Sequence, residues 1–146
     1  MRQLLFLSAG SFLFFLASCS NEERHLPDVS NIPVDIKLQR FDQDLFRLDT
    51  NNLEAGMQQL TGKYPALLPL FAINIIHDQT NPKETPLEAL SGFLRAPEVY
   101  SLNDTVQKLY GDLGWLERDL TQMFKYYKYY FPNKPVPQVA TMISEF

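Results

Sequence analysis

An apolar run that ends at the only cysteine constrains this chain more than any other feature. From Leu4 to Ala17 every residue is apolar except Ser8, Gly10 and Ser11, and Arg2 is the only charge ahead of Cys19. At roughly 14 residues the run falls short of the about 20 that a bilayer-spanning helix needs. It fits the apolar core of a secretory signal, about 7 to 15 residues behind a positive charge. A leader of this kind takes itself out of the fold. Removing the first 18 of the 146 residues leaves 128, and because Arg2 leaves with them, 12 basic residues remain against 17 acidic ones.

The end of the run carries chemistry. Leu16-Ala17-Ser18-Cys19 resembles the lipobox of bacterial lipoproteins: a branched apolar residue, two small ones, then cysteine. The order matters physically. Small side chains at 17 and 18 let the backbone enter a peptidase cleft, the Cys19 thiol forms a thioether to diacylglycerol, and cleavage before Cys19 frees an amine for a further acyl chain. Two or three such chains make a lasting anchor where one, at about 0.8 kcal/mol per buried CH₂, holds only marginally. The alternative is a buried cysteine at the end of a core helix; the coincidence of a signal core with the only cysteine argues against it. No aspartate directly follows Cys19, so an inner-membrane retention signal is missing and the outer membrane is favoured. The expected organisation is a leader over 1–18, a lipidated polar tether over 19–33 bounded by Pro33, and a globular body over 34–146.

The whole chain is 45% hydrophobic and 21% charged, a globular balance. Its acidic character, net charge −4 for the whole chain, excludes a nucleic-acid partner, which needs a basic surface. It also suits anionic headgroups poorly, so membrane contact is expected through the acyl chains rather than a basic face. One cysteine makes no internal disulfide. With two histidines, a zinc site would have to recruit carboxylates, and no motif asks for a cofactor.

Val34 to Phe41 alternates apolar and polar, which predicts a half-buried strand that ends or bends at Arg40-Phe41. Asp42 to Phe46 reads as a single helical turn. About five longer helices follow. Asn51 or Asn52 caps Leu53, Met57 and Leu60, with Gly62 as a stop. Ala66 to Ile76, starting near Pro69, reads as the most buried helix, with His77 at its polar end. Thr85-Pro86-Leu87-Glu88 is a capping box ahead of Leu87, Leu90 and Leu94, halted by Pro97. Ser101 to Asp104 repeats the capping pattern before Leu102, Val106 and Leu109. Leu116, Leu120, Met123, Phe124, Tyr127 and Phe131 form the stripe of the last helix, leaving Glu117 and Asp119 on solvated faces. Val139 to Phe146 predicts a second strand able to pair with the first. The fold class is therefore α+β, mainly helical, with two short strands near 34–41 and 138–146. The halt immediately behind that strand reads as a cut inside a larger domain.

Tyr126 and Tyr129 fall off the apolar stripe. They mark either a partner surface or rings covered by a second layer of the fold.

In order along the chain, the lipobox, the tether, Arg40-Phe41-Asp42 with Leu45-Phe46 behind it, and Tyr64-Pro65 resemble the GldB-type gliding-motility lipoproteins of Bacteroidetes, from about Pro33 to Phe146. The resemblance implies a lipid-anchored envelope protein of the gliding and associated secretion machinery, typically about twice this length, so that this chain is its N-terminal half. In the same group, acidic residues such as Glu22 and Glu23 behind the lipidated cysteine mark a surface-export tether; they read equally well as a solvated spacer. It implies a likeness in layout to predicted zinc-dependent peptidases, whose metal motif would lie beyond Phe146. Only Cys19 carries over as a site residue.

Two functions follow from the residues. One is a lipid-anchored binding or scaffold component with envelope-protein partners, using the surface at Tyr126 and Tyr129. The other is the front half of a peptidase-like hydrolase. Against the second, the chain has no HExxH pair and no G-x-S-x-G elbow, and lipidation would remove the one thiol.

Overall fold

The computed structural model describes residues 26–144, so the leader, Cys19 and Glu145-Phe146 lie outside the described residues. The chain forms strand β1 (Gln39–Arg40), helices α1 (Phe41–Phe46), α2 (Leu53–Lys63) and α3 (Leu67–Leu70, running on into a π-helical turn, Phe71–Ile75), then α4 (Pro86–Arg95), α5 (Pro97–Tyr110) and α6 (Gly114–Tyr130), and strand β2 (Ala140–Thr141). The architecture is mainly helical α+β, with six helices and one two-stranded sheet among the described residues. Two strands pair in parallel only when the connection between them crosses over. Here α1 to α6 make that crossover, and Gln39 faces Ala140 while Arg40 faces Thr141.

The alternation ahead of Phe41 has a more specific use than a ladder. Asp35 and Lys37 are exposed while Ile36 is buried. The strand ladder covers only Gln39–Arg40. Ahead of it two backbone N–H groups turn to α6 instead: Ile36 donates to Thr121 Oγ1 at 3.0 Å and Leu38 to Glu117 Oε1 at 2.9 Å. Glu117, expected on a solvated face, is therefore half-buried, and Lys37 lies 3.5 Å from its other oxygen. A side-chain acceptor on a helix has satisfied donors that a third strand would otherwise take.

Phe41, Leu45, Leu53, Leu60, Tyr64, Leu68, Phe71, Leu90 and Leu94 make the core, drawn from α1 through α4. Phe41 is its centre. It is fully buried and meets Tyr64 and Phe71 edge-on, at 5.1 and 5.2 Å between ring centroids, and Phe93 meets Phe71 in the same way at 5.3 Å. Edge-to-face geometry adds about 0.5–1.5 kcal/mol per pair to the burial itself.

Helix ends follow local chemistry, with three corrections to the sequence reading. Thr85 and Glu88 form the expected capping box. Asn52 occupies the N-cap of α2, yet its side chain makes no cap bond. The helix expected from Ser101 begins at Pro97, four positions earlier, which puts Ser101 inside α5. Ala96 alone separates α4 from α5, held extended at ψ 122° because the following proline disfavours the helical region; Pro97 ends one helix by starting the next. Finally, α3 is amphipathic rather than the most buried helix. Leu68, Phe71 and Ala72 are buried while Leu70 and Ile73 are about half exposed, at 47% and 49%. None of the helices among the described residues is long and apolar enough to cross a membrane.

Candidate functional site

Where β1 meets α1, Asp42 is the one buried charged residue among the described residues, at 2% exposure. Its two oxygens are saturated. Arg40 donates from Nε at 3.0 Å and from Nη2 at 2.8 Å, Gln107 of α5 donates at 3.0 Å, and Thr141 of β2 donates at 2.5 Å. Burial works to raise the Asp42 carboxyl; the donors from Arg40, Thr141 and Gln107, with the Arg40 charge, outweigh it and hold the pKa at about 2. The remaining donors of Arg40 reach Tyr110 O at 3.2 Å and Gly111 O at 3.0 Å, the open carbonyls at the end of α5, where a cation suits the helix dipole. One ion pair thus ties together β1, β2, α1 and α5. A small apolar cleft of about 260 Å³ lies beside it, walled by Val106, Leu113, Leu116 and Ile143 among others. A carboxylate fixed in its ionised form with every lone pair engaged neither takes nor gives a proton near neutral pH. This is a clasp rather than an acid–base centre.

A second carboxylate repeats the arrangement at lower burial. Asp44 accepts from Lys63 and, at 2.5 Å, from the hydroxyl of Tyr64. Burial and the neighbouring carboxylate push the Tyr64 phenol up, and the same donors hold the Asp44 carboxyl below its ordinary value despite partial burial. His77 pairs with Glu84, Nδ1 to Oε2 at 3.0 Å, and Glu84 also receives the Asp78 N–H. Among the described residues no three His, Cys, Asp or Glu side chains converge as a metal site would require.

The aromatic end of α6 is the other concentration of functional chemistry. Of its apolar stripe only Phe124 is buried; Met123 and Phe131 are 48% and 54% exposed. Tyr127 bridges Phe124 and Phe131, its ring 6.0 and 5.3 Å from theirs. Tyr126 is half-buried. Tyr129 is exposed and stacks edge-on with exposed Tyr130 at 5.0 Å. The Lys128 ammonium folds back onto the carbonyls of Pro132 and Lys134, at 2.5 and 2.9 Å, and closes off the helix. Lys125 reaches the other way, to Ser30 O at 3.4 Å. This brings the N-terminal segment, where Val29 is buried although it was counted in the tether, against the C-terminal half of α6.

Sequence reasoning singles out Tyr126 and Tyr129 as a surface and meets Asp42 only within the family-like Arg40-Phe41-Asp42; it does not connect Asp42 to Gln107 and Thr141, 65 and 99 positions further along the chain. The only local hint was Arg40 two residues ahead of Asp42.

Neither a search of curated proteins nor a search of solved structures finds a significant match. The family model of the gliding motility protein GldB, which carries a lipoprotein designation, matches residues 22–146, the stretch that holds both the clasp and the aromatic end. The chain belongs to the GldB gliding-motility family.

Proposed function

We propose that the chain is a lipid-anchored component of the bacterial envelope, held in the outer membrane by acyl chains on Cys19, that serves the gliding apparatus and its associated secretion machinery as a binding or scaffold subunit. The family match beginning at residue 22, immediately behind a lipobox-like Leu16-Ala17-Ser18-Cys19, supports this reading most directly. The domain adds support of a second kind. Its buried polar groups are spent on holding elements together, while aromatic side chains with no interior role are left on the surface of α6. Large amphipathic rings at an accessible site are what binding surfaces enrich. The peptidase alternative finds no support among the described residues: Asp42, Asp44, Glu84 and Glu117 are all engaged in structural hydrogen bonds.

The test is chemical and then genetic. Cells fed labelled palmitate should incorporate label into the native chain and none into Cys19→Ala, and mass spectrometry should find the mature chain beginning at an acylated cysteine. The Cys19→Ala strain should spread poorly on agar while making normal amounts of protein. An intact leader with a free thiol would overturn the anchor. A pull-down comparing the native chain with Tyr126→Ala plus Tyr129→Ala tests the surface; unchanged recovery of envelope partners would remove those two residues from it.

A further inference from the structure

The tether fixes which face of the domain can lie near the membrane. Cys19 is seven residues ahead of Leu26, so its backbone is within about 25 Å of that residue even when fully extended. Leu26 is itself 64% exposed, and the segment behind it is bound to α6, Ser30 O accepting from Lys125 Nζ. Tyr129 lies four residues on from Lys125 and therefore on the same face. Beyond it come Tyr130 and Phe131, within about 10 Å along the helix axis. Tyr129, Tyr130 and Phe131 are 50%, 59% and 54% exposed.

The charge pattern agrees. From Leu120 to Ser144 the chain carries Lys125, Lys128 and Lys134 and no carboxylate, in a protein with 17 acidic residues. Asp28, the acidic group nearest to it in the described part of the N-terminal segment, accepts the Ser30 N–H at 2.9 Å, and Glu22 and Glu23 belong to the tether ahead of Leu26. Tyrosine and phenylalanine with nearby lysines, free of carboxylates, are the side chains that settle at a bilayer interface: the rings lie at headgroup depth and the ammonium groups stay in water.

We infer that the C-terminal end of α6, with Tyr129, Tyr130 and Phe131 foremost, rests in the headgroup region of the same bilayer that holds the acyl chains. This rests on the lipid anchor at Cys19 and goes beyond it, giving Tyr129 to the bilayer in place of the protein partner that the pull-down tests. The acyl chains supply attachment, and the aromatic end supplies orientation, so the exposed faces of α3 and α4 are presented to other proteins at a defined angle. Anionic attraction is secondary, since only three lysines take part and the body repels such lipids.

Trp115 is the only tryptophan and begins α6, sixteen residues from Phe131 and about 24 Å away along the helix. The full-length chain is produced in a lipoprotein-processing bacterium, purified in detergent and reconstituted into phosphatidylethanolamine–phosphatidylglycerol vesicles in which half the lipid carries bromine on its acyl chains. Two forms are compared: the native chain, and Trp115→Phe with Tyr130→Trp. The bromines sit on the acyl carbons just beneath the headgroups, and bromine quenches only an indole that it touches, so emission from the indole at position 130 should fall roughly by half on bromination while that of Trp115 should be unchanged. Vesicle flotation and mass spectrometry are run on the same material. Acylated, floating protein whose indole at 130 is not quenched would overturn the docking and leave the anchor standing. Unacylated protein would overturn both. Equal quenching at 115 and 130 would mean that the helix lies flat, against the proposed geometry. If Tyr129, Tyr130 and Phe131 instead prove necessary for co-purification of a protein and the indole at 130 is unquenched, the surface belongs to that protein and not to lipid.

Discussion

Asp42→Asn removes one charge and keeps the shape of the side chain, so it isolates what the clasp contributes. Lowering the carboxyl from 3.8 to about 2 corresponds to about 2.5 kcal/mol of stability at neutral pH. The substitution also leaves the Arg40 guanidinium, 18% exposed, without its counter-charge. Breaking a buried pair from one side costs about 3–5 kcal/mol, and the partial exposure of Arg40 puts this case near 3. For a body of this size that is a fall in Tm of about 12 °C. The pH dependence gives a second check. The folded pKa lies below the unfolded one, so the stabilisation is complete above pH 3.8 and is lost as pH falls through that value toward 2. Urea titrations followed by circular dichroism should therefore show native and variant about 3 kcal/mol apart at pH 7, converging between pH 5 and pH 2. A gap below about 1 kcal/mol at pH 7, or one that stays constant down to pH 2, would refute the reasoning.

Other substitutions probe separate links. Tyr64→Phe keeps the ring against Phe41 and deletes the hydroxyl bonded to Asp44; it should cost about 1 kcal/mol by the same titration. Phe41→Ala empties the centre of the core and should cost about 3–5 kcal/mol, enough to leave the chain largely unfolded by near-ultraviolet circular dichroism at 37 °C. Thr85→Ala removes the hydroxyl that accepts the Glu88 N–H, while the residue 85 backbone N–H can still donate to the Glu88 carboxylate, and should cost about 1 kcal/mol with no change in m-value. Glu117→Ala should speed amide exchange at Leu38 more than in the core, because it removes the acceptor of that N–H group while leaving the helices packed.

Some of this was legible along the chain and some was not, for reasons that divide by distance. Thr85, Pro86 and Glu88 act within one helical turn, and their sequence predicted their geometry. The end of β1 at Arg40-Phe41 was visible because alternation breaks there. Pro97 was ambiguous: a proline stops one helix and is equally suited to open the next, and only the single extended residue Ala96 distinguishes the two. Glu117 was misplaced because helical periodicity assigns it to the polar face, and it is indeed polar in use, but its partner is the backbone of Leu38, 79 residues earlier. The clasp was illegible for the same reason. Arg40, Asp42, Gln107 and Thr141 are ordinary surface residues by type, and only the parallel crossover brings them together. The proposed lipid anchor is the reverse case, a purely local motif whose residues lie outside the described structure.

The residues that carried the family resemblance also show what kind of likeness it is. Arg40-Phe41-Asp42 and Tyr64-Pro65 are separated by more than twenty positions in sequence, yet in the fold the Phe41 ring stands on the Tyr64 ring while Arg40 and Asp42 form the clasp and Tyr64 binds Asp44. These short motifs therefore meet in one structural unit, in which Phe41 is held by Tyr64 and Asp42 by Arg40. A signature built on such residues reports that the domain folds the same way, because changing any one of them strands a buried partner. It carries no reacting group, so the family likeness transfers an architecture and an envelope setting without transferring a reaction. The aromatic end of α6 lies outside the unit, free of any need to satisfy Asp42 or Phe41, and it is there that a partner, lipid or protein, has room to leave its mark.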